Sequence, residues 1–322
     1  MKKIVIFNVG GALSCYAEFN DKKALIDLGA SQEFSPVDNF LIPLSKNGKF
    51  SIGSDSFSSG KFVLDQLFLS HLDNDHISDY VKFRKKFHPG YMTCPNDNET
   101  QDNIFRIIIN FFTGENEARK FVLADMKIRT ANVPNNPYGM SPSNPLVSTI
   151  PEIKLFYIRP TDCGTDESLK SGYANNISLV LFVQVGNKTL LVPGDILKEG
   201  MKCLIENNTT FKNFISTAGI DYLIAPHHGL QTSFSEELFS NMAGNKTRLN
   251  IISEKVRVAD SDENRSDVDT RYYSSDYSSG DNTLRQNAVK TSLGHIVIDF
   301  KTTETEIKQY QNIEDVIKEF ID

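Results

Sequence analysis

The stretch Phe62-Val63-Leu64-Asp65-Gln66-Leu67-Phe68-Leu69-Ser70-His71-Leu72-Asp73-Asn74-Asp75-His76 decides how this chain folds. Its first half is an apolar run of strand length, rich in Leu, Val and Phe. Its second half places four ligand-type side chains, His71, Asp73, Asp75 and His76, within six positions. A strand that ends in such a cluster aims imidazoles and carboxylates at one point in space. Neutral imidazole and carboxylate are the donors expected of a catalytic zinc site that keeps a position for water. Two ions a few ångströms apart can share a bridging hydroxide as nucleophile and clamp the oxygens of an ester. The leading expectation is therefore a metal-dependent hydrolase.

The same context recurs further along. Leu190-Leu191-Val192-Pro193-Gly194-Asp195 is an apolar strand that runs into an acid, and Asp221–Ala225 runs into Pro226-His227-His228-Gly229. Only six histidines occur, at 71, 76, 88, 227, 228 and 295, and four of them lie in these two clusters. His88 and His295 read as ordinary surface or loop histidines. Leu25-Ile26-Asp27-Leu28-Gly29 is a further strand that stops at an acid and a glycine. Asp27 there reads as structural, placed to hydrogen-bond a ligating imidazole.

Around these segments the pattern predicts strands over Ile4–Asn8, Ser14–Glu18 and Ala24–Asp27, with a hairpin at Asn20-Asp21. A polar insertion, about 30–60, carries a short helix near Pro36–Leu44. A helix over Ser78–Phe87 follows the cluster, with Ser78 as N-cap. Helical spacing of Ile104, Ile107, Ile108, Phe111 and Phe112 predicts a helical insertion over 100–125, and 131–150 reads as a loop. Strands return at Glu152–Ile158, Ser178–Val185, Thr189–Val192, Leu249–Ser253 and His295–Phe300, with helices over Leu197–Glu206 and Ile313–Ile321. Residues 255–285 are polar and poor in aliphatics and read as a mobile loop. The order of elements predicts one α/β domain over 1–322: two sheets face to face with helices outside, and ligands gathered from strand ends at one edge. Insertions fall at about 30–60, 96–150 and 255–285.

Composition narrows the function. The chain has 322 residues, 39% of them hydrophobic and 10% aromatic, which supports a sizeable core. A net charge of −7 argues against non-specific grip on nucleic acid over the whole surface, though not against local phosphate binding. Cys15, Cys94, Cys163 and Cys203 form no CxxC pair, which argues against a disulfide framework or a thiolate zinc site. The N-terminal apolar run is short and reads as a strand rather than a signal peptide. No stretch approaches the ~20 apolar residues of a membrane span. The expectation is a cytoplasmic protein with no membrane association.

Taken in order, these motifs resemble the metallo-β-lactamase superfamily, and within it the hydrolase domain of ComEC-type competence proteins. His71-Leu72-Asp73-Asn74-Asp75-His76 resembles the HxHxDH motif in its HxDxDH form. Leu25–Gly29 resembles the first motif, and Leu190–Asp195 the fourth, whose acid bridges two metals. Ala225-Pro226-His227-His228-Gly229 with Thr232-Ser233 resembles the HHG segment, and Lys290–Ile298 the final strand. The resemblance implies a four-layer αββα sandwich. It implies that His71, Asp73 and Asp195 face a first metal, and Asp75, His76, Asp195 and His227 a second. At the third motif, Ala174-Asn175-Asn176-Ile177-Ser178 has no histidine, so the first position is poorer in nitrogen ligands. It suits Mn²⁺ or Mg²⁺ rather than Zn²⁺, or fills only when substrate arrives.

The implied function is hydrolysis of a phosphodiester, foremost in nucleic acid, by a metal-bridging hydroxide. Asp75 and Asp195 orient the hydroxide, and His228 protonates the leaving group or contacts substrate. Asn176, Ser178, Thr232 and Ser233 are candidate substrate contacts, and one or two divalent ions, Zn or Mn, are the cofactors. The basic run Lys82, Arg84, Lys85 and Lys86 reads first as a solvated helix face and second as a phosphate contact. Arg271, Tyr272 and Tyr273 are candidate nucleotide contacts. Two alternatives stand beside this reading. One is a cyclic-nucleotide phosphodiesterase or another ester or thioester hydrolase of the same fold. The other is a non-catalytic or partner-activated module of a bacterial defence or competence system.

Overall fold

The structure is a computed structural model, and it describes residues 1–54, 58–95, 117–122, 125, 148–158, 167–254, 268–301 and 304–321. Two sheets carry it. The first has seven strands, β1 (Lys2–Ile6), β2 (Cys15–Phe19), β3 (Lys22–Ile26), β4 (Phe62–Phe68), β5 (Phe87–Thr93), β12 (His295–Phe300) and β13 (Thr305–Tyr310), in the order β13-β12-β1-β2-β3-β4-β5. The second has six, β6 (Ile153–Phe156), β7 (Val180–Val185), β8 (Lys188–Val192), β9 (Tyr222–Ile224), β10 (Leu249–Ile252) and β11 (Ala288–Lys290), in the order β11-β10-β9-β8-β7-β6.

Period-two alternation decides how the sheets stack. Along β1, Ile4 and Ile6 face one way and Val5 and Phe7 the other. Ile4 and Ile6 meet Leu181, Val183, Leu190, Val192, Ile224 and Ile251 of the second sheet, forming the core between the sheets. Val5, Phe7, Tyr16 and Leu67 pack instead against Val37, Phe40, Phe83, Val316 and Phe320 on helices outside the first sheet. The outer face of the second sheet, with Phe182, Leu191 and Leu223, is covered by Met201, Leu204, Phe211 and Ile215. Helices over Lys198–Asn207 and Thr209–Ala218 supply much of that cover, and the helix over Ile313–Ile321 lies outside the first sheet. Each large side chain buried in these three cores contributes roughly 1.5–3 kcal/mol. The predicted α/β sandwich, helices outside two facing sheets, is what forms.

Strand direction is what builds a site. β3, β4 and β5 run parallel, and so do β8, β9, β10 and β11. Their C-terminal ends therefore open on one edge, the place where ligands collect in open α/β sheets. Among the described residues no helix is long and apolar enough to cross a membrane.

Several local expectations change. The helix after the cluster begins at Tyr80 with Asp79 preceding it, and Ser78 Oγ instead accepts from the Ala30 N–H at 2.8 Å. His88 and His295 are buried in strands β5 and β12, not in surface loops. The late loop is well structured over 268–285. Thr270–Tyr273 form a 3₁₀ turn, Tyr272 is buried, and Asn250 Nδ2 donates to the Tyr272 carbonyl at 2.8 Å. Residues 255–267 lie outside the described residues, as do most of the expected helical insertion over 100–125 and loop over 131–150. Residues 117–122 are helical. Cys15 and Cys94 are free and buried, but Cys203 is disulfide-bonded, against the sequence expectation.

Candidate metal centre

Five loops bring the site together, each leaving the end of a strand. Asp27 follows β3, Ser70 and His71 follow β4, and Asp195 follows β8. His227 and His228 follow β9, and Ser253 follows β10. Two glycines let the loops approach. A Cβ on Gly29 would stand 2.1 Å from the Asp75 carbonyl oxygen. Gly194 has φ +60, and a Cβ there would stand 2.7 Å from Ser70 Cβ.

The acids of the cluster are not spent on helix capping. Asp73 precedes the short helix Asn74–Ile77 but makes no side-chain cap bond, and the helix after Asp195 is preceded by Leu197 instead. Their carboxylates face the imidazoles. His76 Nε2 lies 3.1 Å from Asp195 Oδ1, and His228 Nε2 lies 3.2 Å from Asp75 Oδ2. Asp195 Oδ2 stands 3.7 Å from His228 Nε2, 3.7 Å from His227 Nε2 and 3.9 Å from His71 Nε2. His71 Nε2 lies 3.6 Å from Asp73 Oδ2.

Two donor groups therefore share Asp195. The tight one is Asp75, His76, Asp195 and His228, whose ligand atoms all lie within 4.8 Å of one another. The looser one is a chain of pairwise contacts, His71 to Asp73 at 3.6 Å, His71 to Asp195 at 3.9 Å and Asp195 to His227 at 3.7 Å. The tight group includes His228 where the resemblance implies His227, while His227 Nε2 lies 3.7 Å from Asp195 Oδ2 outside that group.

The donor set fits a cation. Nε2 of His71 and of His76 are buried without a hydrogen-bond partner, which is costly unless something else satisfies them. Outer contacts fix which nitrogen is free. Asp27 Oδ2 lies 2.8 Å from His76 Nδ1 and would keep a proton there, leaving Nε2 to a bound cation. Burial opposes a second proton on this ring, but Asp195 and Asp27 outweigh it and raise the imidazole well above its ordinary range when no cation is bound. His228 Nδ1 is 3.1 Å from the Ser253 carbonyl, which leaves its Nε2 to a cation in the same way. Asp27 also accepts from the Ser70 N–H at 2.7 Å and from Ser70 Oγ at 2.8 Å, which makes it the hub beneath the site.

The electrostatics agree with a carboxylate site. Burial alone would raise the Asp195 carboxyl, but the imidazoles of His76, His228 and His71 outweigh it and hold the group ionised. Burial likewise opposes ionisation of Asp75, and His228 and His76 overcome it. Burial pushes His227 down, which keeps its imidazole neutral.

The expected substrate contacts are placed differently. Asn176 and Ser178 are buried beneath the site. Asn176 Oδ1 accepts from the Leu197 N–H and Ser178 Oγ from the Asp195 N–H, each at 3.2 Å. They hold the Asp195 loop from below. Ser233 is buried and Thr232 is exposed. In the basic run, Lys82 pairs with Asp38 and Arg84 with Asp125. Arg271 pairs with Asp269 and Glu236 and lies over the Phe234 ring.

Sequence reasoning missed the backbone of the HHG segment. His227 and His228 both adopt left-handed conformations, with φ of 48° and 59°. Each costs about 1–2 kcal/mol in a non-glycine residue. Consecutive strain of this kind is found where function over-determines the backbone.

No family model matches the chain, and no curated protein matches it. Among solved structures it is similar to the metallo-beta-lactamase fold protein YhfI from Bacillus subtilis. The identity is 12%, 80% of this chain and 89% of that chain are covered, and the TM-score is 0.38. It is similar to a putative metallo-beta-lactamase from Thermotoga maritima at 15% identity, covering 69% and 95%, with a TM-score of 0.37. Zn(2+)-bound PqqB from Methylobacterium extorquens follows at 12% identity, covering 69% of each chain, with a TM-score of 0.34. None of these likenesses assigns a reaction to this chain.

Proposed function

We propose that this chain is a metal-dependent hydrolase of phosphodiesters, with nucleic acid as the foremost substrate class. One observation carries the reading: Asp195 joins two donor groups, with its Oδ2 3.7–3.9 Å from His71, His227 and His228. Bound there, divalent ions supply a Lewis acid for the phosphoryl oxygens and lower the pKa of water. His71, Asp73, His227 and Asp195 would hold one ion; Asp75, His76, His228 and Asp195 would hold the other.

The chain's own residues do the rest. Asp27 and the Ser253 carbonyl hold protons on Nδ1 of His76 and His228, so both Nε2 atoms stay available. Ionised Asp75 and Asp195 orient an attacking water by accepting its protons. With His228 among the ligands, the leaving oxygen takes its proton from solvent. The site opens to solvent on the side of Asp73 and Asp75, whose side chains are 43% and 39% exposed. The phosphodiester class rests on the ComEC-type likeness of the motifs.

A second reading has its own support. Two of the four cations in the Lys82–Lys86 run are engaged by Asp38 and Asp125, which leaves less charge to track a nucleic-acid backbone. A small phosphodiester such as a cyclic nucleotide needs no such track. The test is turnover of single-stranded DNA, duplex DNA, RNA, a cyclic nucleotide and bis-p-nitrophenyl phosphate in Mn²⁺ or Zn²⁺. Cleavage of a polymer that weakens steeply with salt supports the nuclease. Cleavage of the small diesters alone supports the second reading. Turnover of a thioester or lactone with no diester cleaved overturns both. A protein that binds no divalent ion is a non-catalytic or partner-dependent module.

A further inference from the structure

The looser donor group has a weak member. Asp73 stands where the superfamily motif carries an imidazole, and at 43% exposed its side chain has room to swing away. Its two oxygens are nevertheless separated. Oδ2 faces His71 Nε2 at 3.6 Å, while Oδ1 accepts from Arg119 Nη2 at 3.0 Å. Arg119 Nε donates in turn to the Leu72 carbonyl at 2.8 Å. One planar guanidinium thus grips both the backbone beside Asp73 and the outer oxygen of its carboxylate, in the fork geometry that distinguishes arginine from lysine.

The segment that delivers Arg119 is anchored. Ala118 and Val122, on the same short helix, are buried in the core outside the first sheet with Tyr80 and Phe83. Arg84 lies over the Phe121 ring, 4.3 Å from its centroid. Asp125 accepts from Arg84 Nε and Nη2 at 2.9 and 2.7 Å and from Tyr80 Oη at 2.9 Å. Arg119 is held from both ends, by packing below and by Asp73 and Leu72 above.

We propose that Arg119 is a positioning residue for the first ion. By fixing Oδ1 it turns Oδ2 of Asp73 toward His71, and so makes a usable ligand of an acid in a histidine's place. The proposal rests on the reading of this site as a metal centre. Groups that hold a ligating side chain typically change ion affinity by about ten- to a hundredfold when removed.

The test is titration of the ion-free full chain with Zn²⁺ or Mn²⁺ against a chromophoric chelator. His71→Ala marks the binding phase of the first group and Asp75→Ala that of the second. Arg119→Met is expected to weaken the His71-dependent phase by roughly ten- to a hundredfold and to leave the Asp75-dependent phase unchanged. Arg119→Lys, which keeps the charge but not the fork, is expected to recover only part of the loss. Thermal unfolding of the ion-free variants should match the wild type. An unchanged His71-dependent phase in Arg119→Met overturns the proposal. So does an equal weakening of both phases, which would mark a general structural role. If the wild type binds no ion, the metal-centre reading itself falls, and the proposal with it.

Discussion

The carboxylate of Asp27 lies 2.8 Å from Nδ1 of His76, and both side chains are fully buried. The acid just after β3 thereby holds an imidazole carried by the short helix Asn74–Ile77. On the proposed reading, ion affinity and fold stability both depend on this pair. Asp27→Ala would leave His76 Nδ1, the Ser70 N–H and Ser70 Oγ without their acceptor. The expected cost is about 3–5 kcal/mol, read from denaturant unfolding. Ion affinity of the Asp75–His228 group should fall ten- to a hundredfold or so. Asp27→Asn, which tolerates the φ of +57 at this position, should recover much of the stability but not the affinity. Equal recovery of both would show that the negative charge of Asp27 is not needed.

Asp195 belongs to both donor groups, so its loss should differ in kind from that of its neighbours. Ion content per chain, measured by elemental analysis, should fall to none in Asp195→Ala and only in part in His71→Ala. Retention of full ion content by Asp195→Ala would separate the two groups and remove the bridging role.

Gly194 carries Asp195 into place at φ +60, with Ser70 Cβ and Ser178 Cβ where a Cβ would stand, at 2.7 and 3.0 Å. Gly194→Ala should cost about 1–2 kcal/mol for the left-handed backbone, with a further ~1–3 kcal/mol for overpacking. Ion affinity should fall as well, because the loop that shifts is the one that holds Asp195. A denaturation midpoint equal to that of the wild type would contradict this.

His295 gives the fold a pH dependence away from the site. Burial pushes its imidazole down to about 4. Its Nδ1 accepts from the Asn8 N–H at 3.1 Å, and its ring packs on Phe7 and Phe34, contacts that suit the neutral form. The unfolded chain takes up the proton near pH 6.5 and the folded one only near 4. The stabilising contribution is thus full above pH 6.5 and is lost as pH falls toward 4. The loss is at most about 3 kcal/mol. His295→Gln should be less stable at pH 7 and should flatten the unfolding free energy between pH 7 and 4.5. A slope equal to that of the wild type would place the acid sensitivity elsewhere.

Strands with clean alternation, such as Ile4-Val5-Ile6 and Leu190-Leu191-Val192, were legible because each residue's face follows from its place in the pleat. β5 was not predicted, because Pro89 and Gly90 interrupt its pattern. At the edge of the sheet the missing N–H of Pro89 is tolerated, and parallel pairing to β4 supplies the rest. The helix Thr209–Ala218 and strand Thr305–Tyr310 were not anticipated either. That helix starts on Asn208, whose side chain accepts from the Phe211 N–H at 2.9 Å. The late loop read as mobile because it is poor in aliphatics, yet aromatic packing of Tyr272 and Tyr277 on Phe234 orders its second half.

The sequence by itself determined which imidazoles and carboxylates end which strands, and that the cluster they form could hold a hard or borderline cation. Residue type and local periodicity suffice for that. Tertiary structure alone decided how the donors divide, because parallel strand ends far apart in the chain must meet before any distance exists. It put His228 beside Asp75, made Asp27 the hub beneath His76, and withdrew Asn176 and Ser178 into support of the Asp195 loop. It also brought Arg119 to Asp73 across a separation of 46 residues, a contact that no local pattern encodes.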